Sequence, residues 1–345
     1  MNENIERGAT YGEAGVNLQA SRDIKDTIKT LAIKTYGDSV VGGVGGFGAM
    51  YKISGYKNPI LVTSTDPVGT KLMVAGMVSF FENIGADLVN ACVNDLIVIG
   101  ADPLFFLDYI ATSKMNPEVV EILVRGIAEA CSSVDCALIG GETSEMPGVF
   151  SNDNFDVSGF IVGAVEEKNM LRPKETIEEG DVLVGIPSNG LHTNGYSLVR
   201  HIFGLDNDSS PLDMYYDDLG ETLAEALLKP HLPYYHDLRN VFGVAKGIAH
   251  ITGGGLYENI PRMLPAGVTA KFSRSLWSVP PIFDVIQKEG RVDLEEMHHV
   301  FNMGLGMVVA VEQIHVSNVL NLVRDGVVVG EVVKSYQNDE VIIQD

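Results

Sequence analysis

Carboxylates that stand among apolar residues are the first candidates for chemistry in this sequence. Asp95 lies inside the largely apolar run Leu88–Ile99, and Asp66 follows the apolar run Ile60–Ser64. Glu142 likewise comes after apolar residues and two glycines. A carboxylate on a buried element is costly unless a cation or hydrogen-bond donors pair with it. Because oxygen ligands suit Mg2+, we predict that Asp66, Asp95 and Glu142 share a magnesium site.

A plainer interpretation of these acids stays open. Asp95 could be a buried side chain satisfied by backbone donors or by Asn94, and Asp66 and Glu142 could be turn residues. The element that carries Asp95 is nevertheless well defined, because a glycine at position 100 and a proline at position 103 predict the end of its helix.

Glycine-rich loops are the second kind of candidate, because their N–H groups can bind phosphate. Gly43, Gly45 and Gly48 match the spacing G-x-G-x-x-G of a dinucleotide-binding turn. The apolar strand that should precede such a turn is not evident. We therefore favour a loop that closes over phosphates and keep a plain flexible loop or a nicotinamide oxidoreductase as alternatives. Lys71, five residues after Asp66, is predicted to neutralise a phosphate oxygen.

The second half of the chain adds a histidine and further glycine turns. His192 lies in Pro187–Tyr196 among glycines and amides, so we favour a catalytic or substrate-contacting role over a core histidine. Gly253–Gly255 precede a predicted helix and suit the phosphate of a sugar. Phe301–Gly306 is predicted to be a close-approach turn, and His298–His299 a solvated face.

The elements that position these residues alternate along the chain. Helices are predicted at 21–35, from about 74, across 88–99, and at 117–131 and 256–263; strands are predicted at 60–64, 104–111, 136–139, 160–165, 182–187, 307–311 and 327–329. This alternation predicts an α+β fold with α/β-type layers and two domains. We place an N-terminal arm at 1–20, a first domain at 21–169 and a second at 170–345, because the segment 168–180 is polar and contains a proline.

Bulk composition limits the partners. A chain of 345 residues with 46% hydrophobic residues can bury an ample core in two domains. Its net charge of -22 argues against nucleic acid and anionic membranes as partners. The three cysteines match neither a metal spacing nor a disulfide framework, so we predict reduced core residues. With no apolar signal core in residues 1–17 and no apolar run near the ~18 residues of a membrane span, we expect a cytoplasmic protein.

The order of these motifs resembles a known family. Asp95, Gly100, Ala101 and Pro103 meet the pattern D-x4-G-A-x-P. Further segments, in collinear order, are GGVGGFGA, TDPVGTK, CVND, PLFFLDYIAT, GGETSEMPG, SNGLHTNGYSLVR, ITGGGLYENIPR and FNMGLGM. Together they resemble the aminoimidazole ribonucleotide synthetases, the phosphoribosylformylglycinamidine cyclo-ligases of purine synthesis. The resemblance runs from the arm at 11–17 to about residue 311.

This resemblance implies a reaction and a set of site residues. Members cyclise formylglycinamidine ribonucleotide with ATP and Mg2+, and their N-terminal sheets pair as a barrel in a homodimer. The implied catalytic residues are His192, Asn194 and Lys71; the ATP-binding residues are Gly43, Gly45, Gly46, Gly48, Thr65, Asp66, Asn94 and Asp95; the substrate-binding residues are Gly253, Gly254, Gly255 and Asn302; and the metal ligands are Asp66, Asp95 and Glu142.

Other members of the superfamily are the nearest alternatives. Selenophosphate synthetase, thiamine monophosphate kinase and the larger formylglycinamidine synthetase share the ATP framework. The first would require a cysteine in the glycine loop, and residues 42–49 contain only glycine, valine, phenylalanine and alanine. A maturation-type binding protein would keep the fold without needing Asp66, Asp95, Glu142 and His192 together.

Overall fold

The computed structural model describes residues 18–43, 45–150, 154–335 and 339–344, so most of the predicted N-terminal arm lies outside the described residues. The helices are α1 Leu18–Ile33, α2 Lys71–Met77, α3 Ile84–Ile97, α4 Pro117–Ser133, α5 Pro173–Thr176, α6 Tyr196–Ile202, α7 Leu223–Leu227, α8 Tyr235–Arg239, α9 Gly255–Asn259, α10 Pro281–Gly290, α11 Leu294–Val300 and α12 Val316–Leu322. The strands are β1 Val40–Val41, β2 Met50–Tyr51, β3 Pro59–Pro67, β4 Asp102–Thr112, β5 Ala137–Glu145, β6 Phe155–Glu166, β7 Val182–Pro187, β8 Tyr215–Tyr216, β9 Glu221–Thr222, β10 Ala245–His250, β11 Val268–Ser273, β12 Leu305–Val311, β13 Val327–Lys334 and β14 Val341–Gln344.

The N-terminal sheet has the order β3-β6-β4-β5 among the described residues. Its β3–β6 and β6–β4 pairs are antiparallel, whereas β4 and β5 are parallel. Helices α3 and α4 cover one face, and α1 packs on α4. A Cβ at Gly85 would overlap the backbone of α4, so this glycine permits the close approach of the two helices. Leu61, Tyr109 and Phe160 on the other face, called the open face below, are 38–53% exposed.

The C-terminal sheet has the order β10-β12-β7-β13-β11-β14 in the part of the chain that the structure describes. Every residue of β12 is buried, as are the residues of β7 from Val182 to Ile186. Continuous burial of both faces explains why these strands are uninterrupted apolar runs rather than alternating ones. Strands β7 and β12 therefore lie in the core of the C-terminal domain.

The predicted α+β class with two layered domains is confirmed. Helix α3 ends at Ile97, and Gly100 has φ +81°, as its predicted role in ending the helix requires. The helix predicted at 256–263 is wrong in length, because α9 ends at Asn259 and a 3-10 turn continues the chain. The sequence patterns did not predict β10 or β11. The boundary predicted within 168–180 falls between β6 and β7 and stays a prediction.

Several other predictions concern burial. Cys92, Cys131 and Cys136 are buried and unpaired, as predicted. The predicted solvated face at residues 298–299 is wrong for His298, which is buried where α11 packs against α9. None of the described helices combines the length and apolar character needed to cross a membrane.

Candidate active site

Asp95 lies in the last turn of α3 and joins the two domains. Its Oδ1 accepts a hydrogen bond from Nδ1 of His250, the last residue of β10, over 2.8 Å. Its Oδ2 accepts one from the Ser64 hydroxyl over 3.2 Å. The Asp95 side chain is 37% exposed, so it remains open to a ligand. The alternative of a fully buried structural acid does not fit this exposure.

Asp66 lies two residues after Ser64 on the same face of β3. The pKa of Asp66 is raised to about 6. Burial is the larger cause, and the negative charge of Asp95 is the second. The two carboxylates are therefore close enough to repel each other. A pair of this kind suits a cation, which would remove the repulsion.

A chain of imidazole rings continues from Asp95 into the interior. His250 Nε2 lies 3.2 Å from His231 Nε2, and the Asn94 amide nitrogen lies 3.1 Å from the same atom. Because the amide nitrogen can only donate, we assign His231 Nε2 as a shared acceptor and His250 Nε2 as a donor. Asp95 accepts from His250 Nδ1, so each ring nitrogen of His250 has a polar neighbour. His231 Nδ1 then donates to the Thr193 hydroxyl over 3.4 Å.

His192 stacks on His231 with ring centroids 4.1 Å apart and ring planes 19° apart. Its φ of +60° is rare for a residue with a side chain and indicates a strained turn. Neither ring nitrogen of His192 has a hydrogen-bond partner among the described residues, although the ring is buried. Burial holds the pKa of His192 well below its usual range, so the ring is neutral. A neutral, unpartnered imidazole can accept or donate a proton.

One glycine turn, residues 253–255, follows His250 in the C-terminal domain. Gly254 and Gly255 have φ of +91° and +56°, and a Cβ at Gly255 would overlap the carbonyl oxygen of His298. The Asn194 side chain lies against Gly253, because a Cβ there would meet Asn194 Oδ1 at 3.2 Å. The structure thus brings together Asn194 and the predicted phosphate turn.

The chain matches two halves of one family. Residues 47–165 match the family described as "AIR synthase related protein, N-terminal domain". Residues 178–342 match the family described as "AIR synthase related protein, C-terminal domain". The chain belongs to the AIR synthase related family. A phosphoribosylformylglycinamidine cyclo-ligase of Alkaliphilus metalliredigens (strain QYMF) is 47% identical over 333 residues, which cover 94% of this chain and 95% of that protein. The predicted family membership is confirmed.

Solved structures share the fold of this family member at low identity. Hydrogenase maturation protein HypE in complex with ATP superposes with a TM-score of 0.67 at 15% identity and covers 95% of this chain and 91% of its own. Thiamine-monophosphate kinase of Stenotrophomonas maltophilia K279a gives a TM-score of 0.63 at 16% identity, covering 92% and 94%. At this identity the likeness concerns the fold alone.

The predicted three-acid metal site is not assembled within this chain. Among the described residues, no three His, Cys, Asp or Glu side chains are grouped to hold a metal ion. In the register of the sheet, Gly159 of β6 lies between Asp66 of β3 and Asp108 of β4, so these residues share a face. Glu142 of β5 is instead paired with Tyr109, which lies on the open face. Because neighbouring residues of a strand point to opposite faces, Glu142 lies across the sheet from Asp66.

The glycine loop lies on the same open face as Glu142. It connects β1 and β2, which form a short antiparallel pair, so the strand and helix required for dinucleotide binding are missing from its described flanks. Tyr51 of β2 packs on Phe105 with ring centroids 5.3 Å apart. The structure therefore does not support the nicotinamide alternative. Gly43, Gly45, Gly46 and Gly48 are exposed.

Lys71 was predicted at the phosphates but is fully buried. Its Nζ forms an ion pair with Asp87 at 2.7 Å and donates to the Lys229 carbonyl oxygen. No surface remains for a phosphate, so we withdraw that role. The signal missed in the sequence is Asp87 itself, one of two acids in the apolar α3.

Four other residues predicted to contact ligands have different surroundings. Asn94 is buried and bonds to His231, Leu232 and Tyr234, and Asn302 bonds to Ser188, Gly190 and Gly304. Their polar atoms are thus occupied by protein. Thr65 bonds to the Gly159 carbonyl oxygen and points to the open face. Gly255 is buried, and its N–H bonds to the Thr252 carbonyl oxygen, so Gly253 and Gly254 remain as candidate phosphate contacts.

Sequence reasoning missed His231, His250 and Asp108. His250 ends strand β10 three residues before Gly253, the same strand-end position that singled out Asp66. His231 lies between Pro230 and Pro233, a context without a recognisable catalytic pattern. Asp108 is buried, and burial raises its pKa to about 7. The alternation of β4 places it on the helix-covered face.

A cleft of about 880 Å3 lies away from all these residues. Its lining includes Lys57, Arg172, Arg239 and Lys246. Lys246 forms ion pairs with Glu178 and Asp181, and Arg239 pairs with Asp102. Because protein carboxylates already compensate much of this positive charge, we assign no site to the cleft.

Proposed function

We propose that the chain catalyses the ATP-dependent cyclisation of formylglycinamidine ribonucleotide to 5-aminoimidazole ribonucleotide, with release of ADP and phosphate. The prediction of a cyclo-ligase is confirmed by curated relatives that carry this name over most of the chain. The observation that carries the site proposal is the bond between Asp95 and His250, which joins the two domains at the predicted phosphate turn.

The reaction needs an activated amide. In the implied pathway the γ-phosphoryl group of ATP moves to the formyl oxygen of the substrate. The amidine nitrogen then attacks that carbon, the carbon–oxygen bond breaks, and phosphate leaves as the ring closes. An amide carbonyl is a poor electrophile until its oxygen carries a good leaving group. The protein must therefore position two substrates and offset negative charge.

Asp66 and Asp95 fit a magnesium ion. Mg2+ in nucleotide sites commonly takes one or two protein carboxylates together with phosphate oxygens and water, and this pair supplies the carboxylates. The ion would offset charge on the ATP phosphates. HypE, which shares the fold, was solved with ATP and supports placing the nucleotide on this framework. The exposed loop with Gly43, Gly45, Gly46 and Gly48 lies on the open face, across the sheet from this pair, so we do not place it on phosphates held by Asp66 and Asp95.

The histidines would manage protons beside the reacting amide. His250 holds a proton on Nε2 by the assignment above, and Asp95 orients its ring through Nδ1. His192, with both nitrogens unpartnered, would contact the substrate when the turn around it opens. Asn194, Gly253 and Gly254 would bind the ribose 5′-phosphate through the side chain and the free N–H groups.

A homodimer belongs to the same proposal. The open face exposes Leu61, Tyr109 and Phe160 on adjacent strands, whereas an unpartnered sheet face is usually polar. A second copy would cover these side chains. It would also bring the partner's glycine loop and Glu142 to the same interface. A cytoplasmic location, without nucleic acid or membrane partners, completes the proposal.

Phosphate release tests the reaction. Mg-ATP should release phosphate only when formylglycinamidine ribonucleotide is present, in a 1:1 ratio to the aminoimidazole product, because phosphorylation and ring closure are coupled. A control without the nucleotide substrate measures background hydrolysis. Release that ignores this substrate would contradict the proposal and direct the search to another phosphoryl acceptor.

A further inference from the structure

Four polar side chains form one stripe along α3 and the residue that precedes it. Asn83, Asp87, Asn90 and Asn94 are spaced by four, three and four residues, which places them on one side of a helix. All four contact a single segment of the C-terminal domain, residues 228–234. Apart from Asp95 and the half-buried Ala86, the other residues of α3 are apolar or glycine and buried, so the stripe is a distinct polar surface of the helix.

Most contacts of the stripe with the segment 228–234 are to backbone groups. Asn83 donates to the Leu228 carbonyl oxygen over 2.9 Å. Asn94 donates to the Leu232 carbonyl oxygen over 3.0 Å and accepts from the Tyr234 N–H over 3.3 Å. Backbone groups in a segment with two prolines cannot all pair within a regular element. The stripe supplies their partners.

His231 is held most closely. Its N–H donates to Asp87 Oδ1 over 2.7 Å, and its carbonyl oxygen accepts from Asn90 over 2.7 Å. Its ring nitrogen contacts Asn94. Three successive members of the stripe therefore fix the backbone on both sides of this residue and the edge of its ring. The ring is thereby aimed at His250, on a different segment of the domain.

Asp87 is itself held by Lys71. The ion pair is fully buried on both sides, and Lys71 also donates to the Lys229 carbonyl oxygen. Burial lowers the pKa of Lys71 and raises that of Asp87, and each partner counteracts the shift of the other. Buried ion pairs contribute little to stability compared with apolar side chains, but their geometry is specific. Here that geometry fixes an acceptor for the His231 N–H.

We propose that Asp87 and Asn90 are positioning residues that fix His231 so that its ring reaches His250, the partner of Asp95. The contacts form a closed path, because Asp87 and Asp95 lie on the same helix and His231 and His250 connect them through the other domain. The consequence for catalysis rests on the proposed function. The positioning itself concerns the protein alone.

A pair of double variants separates positioning from charge. Lys71→Met/Asp87→Leu removes both charges and also the acceptor for the His231 N–H. Lys71→Met/Asp87→Asn removes both charges but keeps an oxygen that can accept. We expect the leucine pair to lower kcat by about 10²-fold with KM little changed, since small displacements of catalytic groups have effects of this size. The asparagine pair should lie much nearer to the parent protein.

Hydrogen exchange of the His231 amide, in protein labelled with 15N-histidine, gives a readout without turnover. The leucine pair should speed this exchange, and the asparagine pair should not. Asn83→Ala is the matched control, because it removes a contact of the same stripe three residues before His231. Its His231 exchange should equal that of the parent.

Equal kcat and equal His231 exchange in the two double variants would overturn the proposal. If Lys71→Met/Asp87→Leu does not fold, the exchange of the His231 amide is compared between Asn90→Ala and Asn83→Ala. Equal exchange in these two variants would also overturn the proposal. If the parent protein does not cyclise formylglycinamidine ribonucleotide, the proposed function fails, whereas the exchange comparison still tests the positioning of His231.

Discussion

The two domains differ in the chemistry and in the burial of their sheets. The N-terminal domain provides two carboxylates, Asp66 on a sheet that is covered on one face and Asp95 on helix α3, which covers that face. The C-terminal domain provides imidazoles and glycine turns around a sheet whose central strands are buried on both faces. The site arises only where the domains meet. Within the described residues, the central strands of the C-terminal sheet are covered on both faces, whereas the N-terminal sheet leaves apolar side chains exposed on one face.

The difference in burial predicts unequal costs for the same substitution. Leu183→Ala on the buried strand β7 should lower the free energy of unfolding by about 2–5 kcal/mol, because it leaves a cavity. Leu61→Ala on the open face should change it by about 0.5 kcal/mol or less in a monomer. Urea unfolding over a range of protein concentrations measures both. A large, concentration-dependent cost for Leu61→Ala would identify the open face as a dimer interface.

The difference in chemistry predicts that one carboxylate is indispensable. Asp95→Asn should lower kcat by about 10²–10³-fold, because it removes charge at the ATP phosphates and the acceptor that orients His250. Folding should persist, since the side chain is partly exposed. Glu121→Gln, an exposed acid paired with Arg125, is the control and should retain activity. Near-normal turnover of Asp95→Asn would remove the metal assignment, and a large stability loss with normal turnover would make Asp95 structural.

Burial of His298 predicts that the free energy of unfolding falls at acid pH. Burial, with smaller contributions from Arg274 and His299, lowers the pKa of His298 to about 4 from 6.5. The unfolded chain therefore binds this proton more readily, and the contribution of His298 to stability falls as pH drops from 6.5 towards 4. His298→Phe should reduce the loss between pH 7 and pH 5 by up to about 2 kcal/mol. Equal pH slopes for variant and parent, measured by denaturant unfolding, would contradict the pKa shift.

The sequence was sufficient where local pattern governs structure. The apolar run around Asp95 predicted α3, and the apolar segments predicted seven of the fourteen described strands, because burial imposes a pattern on the residues of an element. The motif order predicted the family. Asp66 and Asp95 were singled out by their positions beside apolar elements, and the structure brings these two together.

Tertiary structure decided which of the other candidates meet. His250 and Asp95 are 155 residues apart in sequence, and only the docking of the domains joins them. Lys71 carries the same charge at a surface or in a core, and its burial depends on the packing of α2 against the segment at 229–231. The face of the sheet on which Glu142 lies depends on the register of β5 against β4. Phe106 and Leu107 of β4 pair with Leu138 and Gly140 of β5, so Ile139 is an extra residue in β5. This irregularity turns Glu142 to the open face. Since a shift of one residue reverses every side chain after it, no local pattern could have assigned that face.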